Sequence, residues 1–210
     1  MKINELEQER TIIESGLQAV YHERHLMRSD AFWKREFLNS EGSKDFDAIG
    51  INLHDVVESL SHDLDIWKEK VKQGSNIRIL ISKPDGDETK IRMNHEGGIP
   101  GSMIGKTDLS ALKQVIIEIL KDTKGGKGSF KFGFYDIIPY VNILKVGEKM
   151  LVADILYKIT GDFSPTYLLE KTKDKQLFGK YMEHFENVWK SGKVEIYKLN
   201  DSGEIELASV

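Results

Sequence analysis

Residues 46–81 read FDAIGINLHDVVESLSHDLDIWKEKVKQGSNIRILI, and this stretch decides the fold class. Residues 46–51 are a short, mostly apolar run, which predicts a buried strand. Apolar residues at helical spacing follow, between Asn52 as the predicted N-cap and Gly74 as the predicted helix end. Residues 77–81 predict a second buried strand. A strand, a helix and a strand within about 40 residues form a right-handed unit whose two strands are parallel.

The rest of the chain continues this alternation of strands and helices. After a polar, glycine-rich excursion over residues 85–106, in which Ile91 and Met93 indicate only a short strand, a strong helix ends at residues 124–126. Further predicted elements are three strands (130–135, 140–146 and 150–157), a long helix that starts at Asp174, and a C-terminal hairpin (194–207). The sequence therefore predicts an α/β fold, a mixed sheet with helices on both faces.

The first 40 residues predict an N-terminal helical arm, followed by a domain over residues 45–210. Apolar or long side chains recur at alternating spacings of three and four, which is typical of a narrow helical seam. The seam residues are Ile3, Leu6, Arg10, Ile13, Leu17, Val20, Arg24 and Met27. Such a seam packs either on its own domain or against a second copy of the chain. Gly16 lowers helix stability by about 1 kcal/mol relative to alanine, so the arm needs a partner surface.

Composition excludes several functional classes. The 210 residues carry 30 Lys and Arg against 34 Asp and Glu, a net charge of -4, which argues against a generally basic nucleic-acid binder. No cysteine is present, which excludes disulfides, thiolate nucleophiles and cysteine-ligated zinc or iron–sulfur centres. No apolar run approaches the roughly 20 residues that cross a bilayer, and the N-terminus is charged. We therefore expect a cytoplasmic protein without a membrane partner.

Several short patterns resemble the phospholipase D-like superfamily. DAIGIN (47–52) followed by GSNIRIL (74–80) looks like the first two strands of that fold. IPYVN (138–142) followed by VGEKMLV (146–152) looks like its catalytic hairpin, and FENVWKSG (185–192) is similar to the way these domains end. The resemblance covers residues 46–192 and implies a single phospholipase D-like half-domain.

The catalytic signature of this superfamily is degenerate here. The family uses His-x-Lys and, five residues after the lysine, an aspartate; the same register in this chain holds Tyr140, Asn142 and Gly147. Tyrosine, with an ordinary pKa of about 10, is a poor phosphorus nucleophile at neutral pH; asparagine brings no charge and glycine no side chain. The resemblance thus implies a non-catalytic regulatory module that binds a ligand or a protein. The alternative is a phosphodiesterase or nucleotide-hydrolysing enzyme with an unrecognised site.

Two expectations about binding follow from this resemblance. Tyr140 and Asn142, with Asp154 from the next predicted strand, are the predicted ligand-binding residues of the degenerate site. Because the family pairs two half-domains and this chain supplies one, we also expect a homodimer or docking onto a related protein chain.

The segment PGSMIGKT (100–107) nearly matches the phosphate-binding pattern G-x-x-x-x-G-K-[ST], with Pro100 in place of the first glycine. A true phosphate loop follows a buried strand directly, and the residues before this segment are polar, so nucleotide hydrolysis there is not expected. Contact with a small anion or a nucleotide through Gly105, Lys106 and Thr107 stays open. The other interpretation is a flexible loop that leads into a helix cap.

Four residues that could ligate a metal share one helical face. These are His54, Glu58, His62 and Asp65. That face lies nearly opposite the apolar stripe of the same helix, so it should point to solvent. We therefore expect a solvated surface, with no metal and no cofactor.

Overall fold

The computed structural model describes residues 2–27, 29–95, 109–138, 140–159, 161–173 and 176–210. Its strands form one nine-stranded sheet in the order β1-β7-β6-β5-β2-β3-β4-β8-β9. β2, β3 and β4 are parallel, whereas the other neighbouring strands are antiparallel. The strands are β1 (Leu17–Tyr21), β2 (Phe46–Gly50), β3 (Asn76–Ser82), β4 (Ser129–Tyr135), β5 (Val141–Val146), β6 (Lys149–Asp154), β7 (Thr166–Glu170), β8 (Val194–Leu199) and β9 (Ile205–Ser209).

Helices cover both faces of this sheet, and the predicted α/β mixed sheet is confirmed. The helices are α1 (Lys2–Ser15), α2 (Arg24–Met27), α3 (Ser29–Trp33), a π-helix (Lys34–Leu38), α4 (His54–His62), α5 (Leu64–Gln73), α6 (Asp87–His95), α7 (Leu109–Asp122), a 3-10 helix (Gly161–Phe163) and α8 (Gln176–Trp189). One core lies under α4, α5 and α7 and contains Trp67, Ile79 and Ile116. The second core lies under α8 and contains Leu80 and Phe185. None of the described helices is long and apolar enough to span a bilayer.

The predicted strand–helix–strand unit is present, with one change at the start of its helix. β2 and β3 are parallel, and Phe46 lies opposite Ile77. The connecting helix is divided into α4 and α5 at Asp63. Asn52 is not the N-cap: the cap residue is Leu53, which has a left-handed backbone and no side-chain cap. Because the Leu53 side chain is buried, packing rather than a polar cap fixes the start of this helix.

The N-terminal arm does not form the single helix that the seam predicted. α1 ends at Ser15, Gly16 has φ +80°, and the chain then enters β1, which pairs with β7. Alternate residues of β1 are exposed, so Leu17 and Val20 lie on opposite faces of a strand and cannot continue a helical seam. The arm therefore adds an edge strand to the sheet.

We expect Gly16→Ala to destabilise the protein by roughly 2–3 kcal/mol. The left-handed φ of Gly16 is unfavourable for alanine. In addition, a Cβ on Gly16 would lie 2.2 Å from the Glu170 carbonyl oxygen. Gly42→Ala is the matched control, because Gly42 has φ +71° but nothing within 4 Å of a Cβ. Gly42→Ala should lower the free energy of unfolding, measured in urea, by only about 1 kcal/mol. Equal losses in the two variants would contradict the close approach of Gly16 to β7.

Helix α6 replaces the short strand that Ile91 and Met93 indicated. The buried positions of α6 include Thr89 and Arg92, whereas Ile91 is exposed. The Arg92 guanidinium donates to the carbonyl oxygens of Leu156 (2.7 Å) and Ile159 (3.1 Å), and these bonds anchor the helix. Because the buried face of α6 is partly polar, apolar residues do not recur in it at helical spacing. The sequence pattern therefore did not predict this helix.

Candidate functional site

Three of the predicted site residues, Tyr140, Asn142 and Asp154, lie at one edge of the sheet, where the carboxyl ends of β2, β3 and β4 meet. We call this the carboxyl edge and define it by residues 51–53, 82–87, 136–138, 140, 154–159 and 161–165. β5 begins and β6 ends at this edge, because β5 is antiparallel to β2 and β6 is antiparallel to β5. Open α/β sheets usually bind ligands at such an edge.

Asn142 and Asp154 lie on opposite faces of the sheet. Asn142 pairs with Ala153, and Asp154 pairs with Val141. Because neighbouring side chains of a strand alternate between faces, this register directs Asn142 to the α4 side and Asp154 to the α8 side. The structure therefore does not bring the two predicted ligand-binding residues into one pocket.

The space around Asn142 is filled. Its Oδ1 accepts a hydrogen bond from the Ile51 backbone N–H at 3.2 Å. A Cβ on Gly50 would lie 2.5 Å from the same oxygen, so the amide packs directly on β2. The cavity beside Asn142, which Leu53 also lines, is about 10 Å³, room for about one water molecule. The Asn142 amide therefore joins β5 to the end of β2.

Asp154 is a hydrogen-bond acceptor on the α8 side. Its Oδ2 accepts from the Tyr167 hydroxyl at 2.9 Å. This bond, together with burial and the negative charge of Asp154, raises the pKa of Tyr167. Burial and the same charge raise the pKa of Tyr181 on α8. Both shifts favour the neutral phenol, so neither tyrosine is prepared to act as a base.

Tyr140 belongs to an exposed group of apolar and aromatic side chains at the carboxyl edge. We call this group the edge patch; its members are Ile138, Tyr140, Tyr157, Ile159 and Phe163, and all are at least 36% exposed. The Ile155 N–H donates to the Tyr140 carbonyl at 3.0 Å, which joins the two segments of the patch. The His25 ring lies edge-on to Phe163, with 5.7 Å between ring centres. Sequence reasoning missed the patch because its members lie in loops and a short 3-10 helix, where apolar residues follow no regular spacing.

The remaining predicted positions do not complete a site. Gly147 lies in the β5–β6 turn, and the six residues of β5 place it roughly 20 Å from Tyr140. Gly105, Lys106 and Thr107 lie outside the described residues. On α4, His54 and His62 are exposed and lie 3.7 and 4.0 Å from the Glu58 carboxylate, as expected of a solvated face. Within the described ranges no three metal-ligating side chains are grouped.

Four charged residues that sequence reasoning missed form an ion network under α8. Asp47 accepts from Arg78 Nε at 2.6 Å and from Lys145 Nζ at 2.8 Å. Arg78 also donates to Glu186 at 2.7 Å, and its guanidinium lies 4.6 Å from the centre of the Phe185 ring. Burial lowers the pKa of Arg78, but its bonds to Asp47 and Glu186 outweigh burial and raise it. Asp47, Arg78 and Lys145 each interrupt an apolar run of a strand. These interruptions were the only indication of the network in the sequence pattern.

Three buried polar atoms at the ends of β3 and β4 lack a hydrogen-bond partner in the described part of the chain. They are Ser82 Oγ, the Tyr135 hydroxyl and Asp136 Oδ1. Burial raises the pKa of Tyr135 strongly and outweighs the neighbouring Ser82 hydroxyl, which lowers it. Tyr135 is therefore a neutral phenol. A Cβ on Gly86 would lie 2.5 Å from Asp136 Oδ1, so the turn after β3 packs on this carboxylate.

Comparison with known proteins identifies no family. No family model matches the chain, and no curated protein matches it. A solved structure of TrmBL2, described as an archaeal chromatin protein with a novel mode of DNA binding, is similar at 17% identity and a TM-score of 0.41. The similarity covers 88% of this chain, which spans 58% of the TrmBL2 chain. A similarity of this size assigns neither a family nor an activity.

Proposed function

We propose that this chain is a non-catalytic regulatory module of the cytoplasm, a degenerate phospholipase D-like half-domain that binds another protein chain. One observation carries the proposal: the position where the family holds its phosphate-binding lysine is occupied by Asn142, whose amide is bonded to the backbone of β2 beside a cavity of about 10 Å³. A phosphodiester does not fit into that space.

The other positions of the degenerate signature support the loss of chemistry. Phosphodiester cleavage through this signature needs a nucleophile, a cation and an orienting carboxylate held together. Tyr140 is exposed, Asn142 is neutral and Gly147 lies at the opposite end of β5. These three positions do not converge on one reacting group.

The edge patch is the surface that supports binding. Contiguous exposed apolar side chains mark interaction sites on proteins, and aromatic residues are enriched where protein chains meet. The patch lies on two segments joined by the hydrogen bond between Ile155 and Tyr140, and the Arg92 bonds hold the second of them. These hydrogen bonds hold the patch at the carboxyl edge.

The partner that we propose is a second copy of this chain. Lys158 and Asp162, which have opposite charges, lie in the same segment as the patch, so two patches related by a twofold axis can oppose unlike charges. Full burial of an apolar side chain contributes about 1.5–3 kcal/mol, and burial of the exposed parts of these five side chains acts against the cost of association. The phospholipase D-like resemblance implies the same pairing of half-domains.

We expect no phosphodiesterase activity from the purified full chain. Generic phosphodiesters, single- and double-stranded nucleic acids and phospholipid vesicles are the substrates to assay. Product formation should not exceed that of a blank without protein. Turnover that disappears in Asn142→Ala or Tyr140→Phe would contradict the loss of chemistry.

An enzyme with a site outside the hairpin is the second candidate. The observation that favours it is Asp136 at the carboxyl edge, whose buried Oδ1 has no hydrogen-bond partner among the described residues and which follows Tyr135 directly in the chain. Turnover that survives Asn142→Ala but is lost in Asp136→Asn would assign the activity to this group. Contact between Gly105, Lys106 and Thr107 and a small anion or nucleotide stays a prediction.

A further inference from the structure

An open cleft of about 800 Å³ lies beside α8, at the edge of the sheet opposite the edge patch. Asp45 precedes β2 there, and Gly147 and Glu148 form the turn between β5 and β6. The volume is in the range of pockets that bind small molecules and short peptides. The cleft takes no part in the function proposed above.

The cleft has an apolar floor and a rim of both charge signs. Phe178 and Met182 are one turn apart on α8, and Gly179 between them adds no side chain. The charged lining residues are Lys44, Lys145, Lys171, Asp45, Glu148, Glu183 and Glu186. Three ammonium groups and four carboxylates fit neither a simple anion nor a simple cation.

Two of the rim charges are fixed. The Lys145 side chain is 13% exposed and bonded to Asp47, and Glu186 is bonded to Arg78. Both groups belong to the ion network under α8, so the wall of the cleft keeps its shape.

Among the described residues, two other rim charges have exposed ion-pair partners. Lys171 bonds to Glu148 at 2.8 Å, and Glu183 bonds to Lys180 at 3.1 Å; all four side chains are substantially exposed. Exposed ion pairs add little stability, so Lys171 and Glu183 can exchange these partners for a ligand at little cost.

We propose that this cleft binds a small zwitterion with an apolar side chain, that is, a free amino acid. Its carboxylate binds Lys171, and its ammonium group binds Glu183 beside Glu186. Its side chain packs on Phe178 and Met182. Because the cleft and the edge patch lie at opposite edges, a failure of either proposal leaves the other standing.

Titration with L-phenylalanine, followed by two-dimensional NMR of the full chain, tests the ligand class. We expect saturable shifts around Phe178 and Met182 with a Kd on the order of millimolar, as the size of the ligand implies. Phenylacetate lacks the ammonium group and phenethylamine lacks the carboxylate. Each should bind roughly tenfold more weakly. Absence of saturable binding, or equal affinity for the three compounds, would overturn the proposal.

Matched variants test the place of binding. Lys171→Gln and Glu183→Gln should each weaken L-phenylalanine binding by roughly threefold or more, without a change in the unfolding midpoint. The controls Lys121→Gln on α7 and Glu206→Gln on β9 remove exposed charges elsewhere and should leave the affinity unchanged. Binding that neither cleft variant weakens would overturn the assignment of this site.

Discussion

Replacing Asp47 with alanine is expected to lower the free energy of unfolding by roughly 3–5 kcal/mol. Its side chain is 4% exposed and accepts hydrogen bonds from both Arg78 and Lys145. Without the carboxylate, Arg78 keeps its bond to Glu186, but Lys145 loses its close ion-pair partner in a largely buried position. Removal of one partner from a buried ion pair is costly because the other charge stays desolvated.

Urea unfolding measures this loss, and the Lys83–Glu195 pair supplies the control. That pair also has a short contact, 2.8 Å, but both of its side chains are more than one third exposed. Glu195→Ala should therefore cost at most about 1 kcal/mol. An Asp47→Ala loss as small as that of the control would show that solvent reaches the network and that α8 does not cover it.

Trp67→Ala is expected to cost a similar roughly 3–5 kcal/mol. The Trp67 side chain is fully buried and packs against Trp33, Phe37 and Phe46, with ring centres 5.2–5.9 Å apart. Its Nε1 also donates to Ser59 Oγ at 3.1 Å. The substitution removes the centre of this aromatic cluster and leaves a cavity that the neighbouring rings cannot fill.

Ile66→Ala is the matched control for Trp67→Ala, because Ile66 is the preceding residue of α5 and is exposed. It should change the free energy of unfolding by no more than about 0.5 kcal/mol. Similar losses in the two variants would mean that the helix presents a different face to the sheet.

Apolar runs predicted the centre of the fold, and they failed where another interaction determines the structure. Within residues 46–81, the parallel strands β2 and β3 were predicted correctly. Both strands are covered on two faces, so their sequences are nearly continuous apolar runs. The single-helix prediction for the arm failed at Gly16, where pairing with Glu170 of β7 turns the chain into a strand. That pairing joins residues that are far apart in sequence, so no local pattern reports it.

The candidate pocket could have been tested from the sequence alone. A two-residue turn at Gly147 and Glu148 sets Val146 opposite Lys149, and the same register sets Asn142 opposite Ala153. Asp154 then faces away from Asn142. The ion network is different, because Asp47, Arg78 and Lys145 meet only once the strand order β5-β2-β3 is known.

The oligomeric state tests the proposed docking function most directly. Sedimentation equilibrium of the full chain at tens of micromolar detects an association free energy of roughly -6 kcal/mol or stronger. Tyr140→Glu and Phe163→Glu place charges at exposed positions of the edge patch, and Ile13→Glu places one at an exposed position of α1 as the control. We predict a dimer for the unmodified chain and for Ile13→Glu, and monomers for both edge-patch variants. A monomeric unmodified chain, or a dimer that both edge-patch variants retain, would contradict docking through this surface.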